Sequence, residues 1–197
     1  MARLTRVEQQ QRTHAQLLSA GRQVFLRRGF LAATVEEIAA DAGYTRGAVY
    51  KHFGGKEGLW LAIVELDADA HLQALGSALA DATTRSDLVA ALAPPFTSDA
   101  AKWSAAAAEV LAATAQQPDT ASLVAAIQQR HDDAVVSLLA EHVQRLGLTP
   151  SMPLPQAVVL LGALGIGLAL RQAVAPTADA AGILGNVVGM IFLERQA

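Results

Sequence analysis

Residues 34–59 read TVEEIAADAGYTRGAVYKHFGGKEGL, and their order of caps, apolar positions and glycines describes two short helices joined by a tight turn and running into a third. Thr34 followed three residues later by Glu37 is a capping box, which satisfies orphan amides at a helix start. Val35, Ile38, Ala39 and Ala42 then recur at helical spacing and form one apolar face. Gly43 stops this helix, because glycine enters the left-handed region that other residues avoid. The small Ala39, four residues earlier, lets a second helix cross closely. Thr45 is a good N-cap for that second helix. Val49 and Phe53, four apart, face the core and leave Arg46, Gly47, Tyr50 and Lys51 on the outer side. This is a helix-turn-helix, and a short helix that turns arginine, tyrosine and lysine outward suits a major groove.

Each outward group has a chemical use on duplex DNA. Arg46 offers two donors to a guanine edge, and Gly47 removes a side chain so that the helix approaches the bases. Tyr50 and Lys51 suit phosphate oxygens, which fix register without reading sequence. Thr34 stands at a helix N-terminus, where amides and a hydroxyl favour an anion. Lys56 opens the next helix at another phosphate-seeking position, and His52 either touches a phosphate or caps the helix end. Any one of these residues alone reads as a solvated surface group. Cap, glycine, second cap and basic face in this order and spacing carry the reading.

The segment A-x-x-x-G-Y-T-R-G-A-V-Y-K-H-F-x-x-K-E-x-L comprises Ala39, Gly43, Tyr44, Thr45, Arg46, Gly47, Ala48, Val49, Tyr50, His52, Phe53, Lys56, Glu57 and Leu59. It closely resembles the N-terminal domain of TetR-family transcriptional regulators. Upstream, Phe25, Gly29 and Phe30 followed by Thr34 are similar to that family's first helix and its exit. The specific match covers about residues 12–60; beyond it the chain resembles the family in length and all-helical character. Gly54-Gly55, Gly58 and Trp60 depart from the usual pattern. The resemblance implies a DNA-binding set of Thr34, Tyr44, Thr45, Arg46, Gly47, Tyr50, Lys51, His52 and Lys56. It also implies a homodimer, usually a repressor, that releases DNA when a small molecule enters the C-terminal domain.

Charge is consistent with double-stranded DNA as a partner once it is divided along the chain. The 197 residues carry a net charge of −3. Residues 1–60 hold nine Lys and Arg against five Asp and Glu, a net of +4, and residues 61–197 hold six against thirteen, a net of −7. A basic head on an acidic body is an electrostatic footprint that the overall balance hides. Arg3, Arg6 and Arg12 in the first segment suggest either a flexible arm, residues 1–10, that reaches phosphates or a minor groove, or a solvated tail. With 52% hydrophobic and 17% charged residues, a sizeable core is expected. The absence of cysteine excludes disulfides and thiol chemistry and is compatible with a reducing cytoplasm. The apolar stretch Ala157–Leu170 is fourteen residues long, short for a membrane span, so a soluble cytoplasmic protein with no membrane partner is expected.

The expected fold is all-α with about nine helices. Residues 1–55 form an N-terminal three-helix helix-turn-helix domain, and residues 56–197 a helical effector-binding and dimerisation domain. Past residue 55 the pattern predicts helices from Lys56 to about Leu79, Asp87–Leu92, Ala100–Ala115, Thr120–Gly147, Gln156–Ala173 and Ala178–Arg195. They are broken at Ala82–Ser86, Pro94-Pro95, Gln116–Pro118, residues 148–155 and Pro176. No strand-period segment stands out.

Two further features bear on function. Gly162, Gly165 and Ala169, and again Gly182, Gly185 and Gly189, are spaced i, i+3, i+7. A glycine costs about 1 kcal/mol inside a helix, and close helix approach offsets that cost. In the resembled family the last two helices pair with a second subunit, which places these residues at a dimer interface; the alternative is packing within one subunit. The middle helices supply candidate lining for an effector pocket in His71, Leu75, Phe96, Trp103, Val110, Leu111, Ile127 and His131. Their apolar character suits a hydrophobic or amphiphilic small molecule, although each alone reads as core. The alternative is a DNA-binding regulator without a small-molecule effector, controlled by a partner protein or by abundance. No cofactor motif is present, and no nucleophile elbow, phosphate loop or metal helix points to an enzyme. Asp132-Asp133 beside His131 cannot all face one ion, because adjacent helix positions diverge by about 100°.

Overall fold

The computed structural model describes residues 5–94, 96–114 and 118–194. Among these the chain forms α1 (Arg6–Ala32), α2 (Val35–Asp41), α3 (Arg46–Phe53), α4 (Lys56–Asp81), α5 (Arg85–Leu92), α6 (Ser98–Thr114) and α7 (Pro118–Arg145). There follow β1 (Leu148–Pro150), α8 (Leu154–Val174), α9 (Ala180–Ile191) and β2 (Phe192–Glu194). The all-α expectation holds, with α1 to α3 as the helix-turn-helix unit.

The boundaries differ from the sequence reading where a cap or a distant partner decides them. Residues 6–10 are helical and do not form an extended arm. Thr5 Oγ1 accepts from the Glu8 amide at 3.3 Å, and the Glu8 carboxylate accepts from the Thr5 amide at 2.7 Å, a complete capping box. Arg3 lies outside the described residues. A second box, Thr84 with Asp87, starts α5 inside the stretch expected as a break. The last helix stops at Ile191, short of Arg195, which also lies outside the described residues. Beyond Ile191 the chain turns extended, and Thr149 pairs with Leu193 and Pro150 with Phe192 in an antiparallel ribbon. The Ser151 amide donates to the Ile191 carbonyl at 2.7 Å, and Phe192 is fully buried. Gln116 and Pro95 lie outside the described residues as well.

Two glycines set the geometry of the head. Gly43, with φ of 75°, makes the turn between α2 and α3, and Gly29, also at 75°, breaks the last turn of α1. The helices then close on two main cores. One gathers Leu17, Val24, Phe25 and Phe30 of α1, Ile38 of α2, Val49 of α3, Leu59, Trp60 and Ile63 of α4, and Ala106 and Val110 of α6. The other gathers Leu75 and Leu79 of α4 with side chains from α5, α7, α8, α9 and the ribbon. Helix α4 therefore serves both cores from one rod, with its first turns built into the head.

Long basic side chains close several helix ends from inside the subunit. Arg85 donates to the Phe192 carbonyl at 2.6 Å and to the Gly189 carbonyl, and Arg145 donates to the Leu79 carbonyl at 2.6 Å. Helix α8 is 21 residues long and, by length and composition alone, apolar enough to cross a membrane. Little of it is buried in the subunit, and Val159, Leu160 and Ile166 stand exposed.

Candidate nucleic-acid interface

Helix α2 supports α3, which carries the outward face. Thr34 caps α2 by accepting from the Glu37 amide at 3.1 Å. The Glu37 carboxylate does not complete the expected box. It lies 3.3 Å from Arg28 and 3.7 Å from Arg27, and Arg27 also reaches Asp41 at 2.6 Å. These pairs tie the end of α1 to α2 and partly neutralise two of the head's arginines.

On α3, Val49 is fully buried and Phe53 packs against the head core, while Arg46, Gly47, Tyr50 and Lys51 are exposed together. Thr45 occupies the N-cap position, and its hydroxyl makes no cap hydrogen bond. Arg46 reaches Glu36 at 3.4 Å with both side chains largely in solvent, a contact weak enough to give way to a better partner. A Cβ at Gly47 would meet only Thr45 Oγ1, at 3.6 Å, an ordinary contact. Nothing within the protein excludes a side chain there.

The remaining sequence candidates sit differently. The Tyr44 hydroxyl donates to Gln16 Oε1 at 2.6 Å and accepts from Thr13 at 3.3 Å, so Tyr44 lies against α1. His52 lies beside His14, with ring centroids 5.8 Å apart, and His14 packs on Phe53 at 4.6 Å. Burial first, then the charges of His14 and Lys51, push the His52 imidazole below its ordinary value. His14 carries no motif signal, and only the fold brings it to this corner.

Lys56 is engaged within the protein. Its ammonium donates to the carbonyls of Phe30 at 2.9 Å, Ala33 at 3.0 Å and Leu31 at 3.4 Å, and lies 4.5 Å from the Phe30 ring centre. The break at Gly29 leaves these carbonyls without helical partners, and the three donors of a lysine match them. Lys56→Met is expected to lower stability by about 1.5–3 kcal/mol, the usual worth of charge-assisted bonds, in a thermal melt. The salt dependence of DNA affinity stays unchanged; a slope reduced by about one would instead put Lys56 on a phosphate.

The head is fastened to the body through α4 and α6. Arg22 of α1 pairs with Asp67 of α4 and lies over the Trp103 ring at 4.9 Å. Trp103 stacks on Trp60 with centroids 4.3 Å apart, and Glu109 of α6 accepts from the Leu31 amide at 2.8 Å. Of the pocket candidates, Trp103 and Val110 thus belong to the head-side core. Leu111 is largely exposed on α6, and Ile127 lies in a separate groove with Glu65 and Arg130. His71, Leu75, Phe96 and His131 come together in the wall of a cavity of about 300 Å³ between α4, α5, α7, α8 and α9.

The small-residue sets also divide. A Cβ at Gly185 would meet Val89 at 3.7 Å and Ala93 at 3.9 Å on α5, and one at Gly189 would meet the Arg85 guanidinium at 3.2 Å. Gly182 abuts the capping carboxylate of Asp179. These three pack within the subunit. Gly162 and Gly165 line the cavity, and Ala169 is buried. The exposed large apolar positions of the last two helices are instead Val159, Leu160, Ile166, Val174, Ile183 and Met190.

Residues 17–63 match the family described as bacterial regulatory proteins, tetR family. The transcriptional regulator TtgR of Pseudomonas putida is 39% identical over 71 residues, which is 36% of this chain and 33% of that protein. The transcriptional repressor AcnR of Corynebacterium glutamicum is 40% identical over 53 residues, 27% of this chain and 28% of its own length. The matched segment thus spans about a third of these relatives. The fold extends further: reduced NemR from E. coli superposes with a TM-score of 0.70 at 20% identity, covering 94% of this chain and 99% of NemR. Residues 17–63 are thus a tetR-type N-terminal domain, similar in sequence to the heads of these transcriptional regulators, on a chain whose whole fold resembles theirs.

Proposed function

We propose that the chain is a sequence-specific repressor that binds a palindromic operator as a homodimer and releases it when a small apolar or amphiphilic molecule enters the domain formed by residues 56–197. The observation that carries DNA reading is the exposed face of α3, where Arg46, Gly47, Tyr50 and Lys51 stand together and Gly47 has no internal reason to lack a side chain. Thr34 and Thr45 flank that face. The similarity to AcnR, a transcriptional repressor, supports the sign of regulation. A target on DNA goes with a cytoplasmic location.

Dimerisation is supported by the uncovered apolar faces of α8 and α9, since contiguous apolar surface of this kind marks an interaction site. A two-fold contact there is self-complementary. It would set two α3 helices in successive major grooves, about 34–36 Å apart along the duplex. The cavity of about 300 Å³ favours ligand control over control by abundance or a partner protein. The ligand acts by stabilising a spacing of the two heads that no longer fits adjacent grooves.

Selection of bound duplexes from a random library, paired with light scattering, tests this reading. The wild-type chain is expected at twice the chain mass and to enrich an inverted repeat. Ile166→Glu puts a charge in the middle of the proposed contact, where burial is costly; it is expected at the chain mass with the repeat lost. A monomeric wild type, or a dimer indifferent to this change, rejects the α8–α9 interface.

A further inference from the structure

We infer that the cavity takes a compact apolar molecule bearing one basic nitrogen, with Asp132 as the counter-charge, and discriminates against carboxylates. This rests on the cavity being the effector site proposed above and names the chemistry that site selects.

The argument begins with what charges the wall carries. Among the described residues no lysine or arginine lines the cavity; its polar side chains are His71, Gln128, His131 and Asp132. Asp132 Oδ1 accepts from Gln128 Nε2 at 2.9 Å, one turn away on α7. That bond orients the carboxylate and leaves most of its acceptor capacity, since an ionised carboxylate has about four lone-pair sites. His71 Nδ1 and His131 Nε2 lie 3.3 Å apart. A hydrogen bond at that distance needs one of these nitrogens to donate and the other to accept. Burial, then the neighbouring His131, pushes the His71 imidazole below its ordinary value. An anionic ligand therefore meets a carboxylate and no fixed cation, and burying an unpaired anion is strongly unfavourable. A protonated amine meets Asp132, with an aromatic side chain, Phe96, in the same wall.

The size of the body follows from the same wall. Apart from those four residues and two glycines, the lining is apolar. A Cβ at Gly162 or Gly165 would meet nothing within 4 Å. Glycine inside a helix is unfavourable, and at these two positions no packing within the subunit offsets it. They keep space open on the α8 side. A cavity of about 300 Å³ lies at the small end of ligand sites and suits one or two fused rings.

Titration calorimetry of the full chain with three probes of equal shape tests the assignment: 2-naphthylmethylamine, 2-naphthylmethanol and 2-naphthoate. The amine is expected to bind at least tenfold tighter than the alcohol, and the carboxylate weakest. Asp132→Asn removes the advantage of the amine and leaves the alcohol unchanged. Gly165→Leu fills the cavity and abolishes binding of all three; Asp132→Asn decides the charge question even if that variant fails to fold. The inference is overturned if the carboxylate binds as tightly as the amine, if Asp132→Asn leaves amine affinity unchanged, or if no probe binds. Operator titration with each probe separates the two levels. Amine binding with unchanged operator affinity keeps the cavity chemistry and rejects effector control. Release of the operator by the carboxylate keeps effector control and rejects the chemistry.

Discussion

Gly58→Ala is expected to unfold the head or to cost it the geometry that presents α3. Gly58 lies in the first turn of α4, where an added Cβ would overlap the carbonyl oxygen of Phe53 and stand 3.0 Å from its carbonyl carbon. A clash with a side-chain tip is relieved by rotation; a clash with backbone moves the helix. Here α3 would have to shift against α4 while Val49 on one side and Leu59 and Trp60 on the other are locked in the same core. Overpacking costs about 1–3 kcal/mol where side chains can yield, and the backbone origin of this clash places it at or beyond the upper end. In a chain of this size about 3 kcal/mol lowers the melting temperature by roughly 6–12 °C, with operator binding lost in parallel. Gly76→Ala on the same helix is the control. Its Cβ meets only Leu138, at 3.9 Å, so the change is expected to be neutral or to stabilise by up to about 1 kcal/mol. A Gly58→Ala melting temperature within about 2 °C of wild type would mean that the α3–α4 corner has room.

The same glycine shows what a sequence can and cannot disclose. The helix-turn-helix was legible because its determinants are local: a cap at Thr34, a left-handed glycine at Gly43, and apolar residues three and four apart. Gly58 fell outside that pattern because its reason is the carbonyl of another helix. Lys56 read as a phosphate ligand for the same cause, since the carbonyls it satisfies belong to a turn of α1 broken more than twenty residues earlier. Periodicity tells which face of a helix is apolar but not what covers it. From eight pocket candidates the fold therefore gathers His71, Leu75, Phe96 and His131 around one cavity and places Trp103 and Val110 in the head-side core. The α9 glycines read as close-approach positions for a second subunit, yet Gly185 and Gly189 approach side chains from the α5 segment of the same chain and Gly182 abuts the cap of its own helix. The ribbon of β1 and β2 left no alternating signal, because three residues a side are too few to show a period. The boxes at Thr5 and Thr84 are as local as the cap at Thr34, each a threonine with an acidic residue three positions on.

Arg46→Ala is expected to remove sequence preference while leaving the protein as stable as before. Its one ion pair, to Glu36 at 3.4 Å, is mostly in solvent, and such pairs contribute roughly 0–1 kcal/mol. On DNA a two-donor contact to a base discriminates by about 1–3 kcal/mol. The proposed dimer would make it twice, so the expected loss at the operator is roughly 2–6 kcal/mol, about 30-fold to more than 10,000-fold. Binding to random duplex is expected to survive, because Tyr50 and Lys51 remain exposed and available to phosphates, a contribution independent of sequence. Gly47→Ala sharpens the argument, because its two effects have opposite signs. The added methyl fits the free protein and raises helix propensity, stabilising the fold by up to about 1 kcal/mol. In the proposed complex the same methyl would stand between α3 and the base edges and is expected to weaken operator binding. A variant that melts higher and binds worse cannot be explained by damage to the fold. Parallel melts and operator titrations at one stated salt concentration measure both quantities. If Arg46→Ala weakened operator and random duplex equally, Arg46 would be a phosphate contact and the reading of bases would have to lie elsewhere on α3.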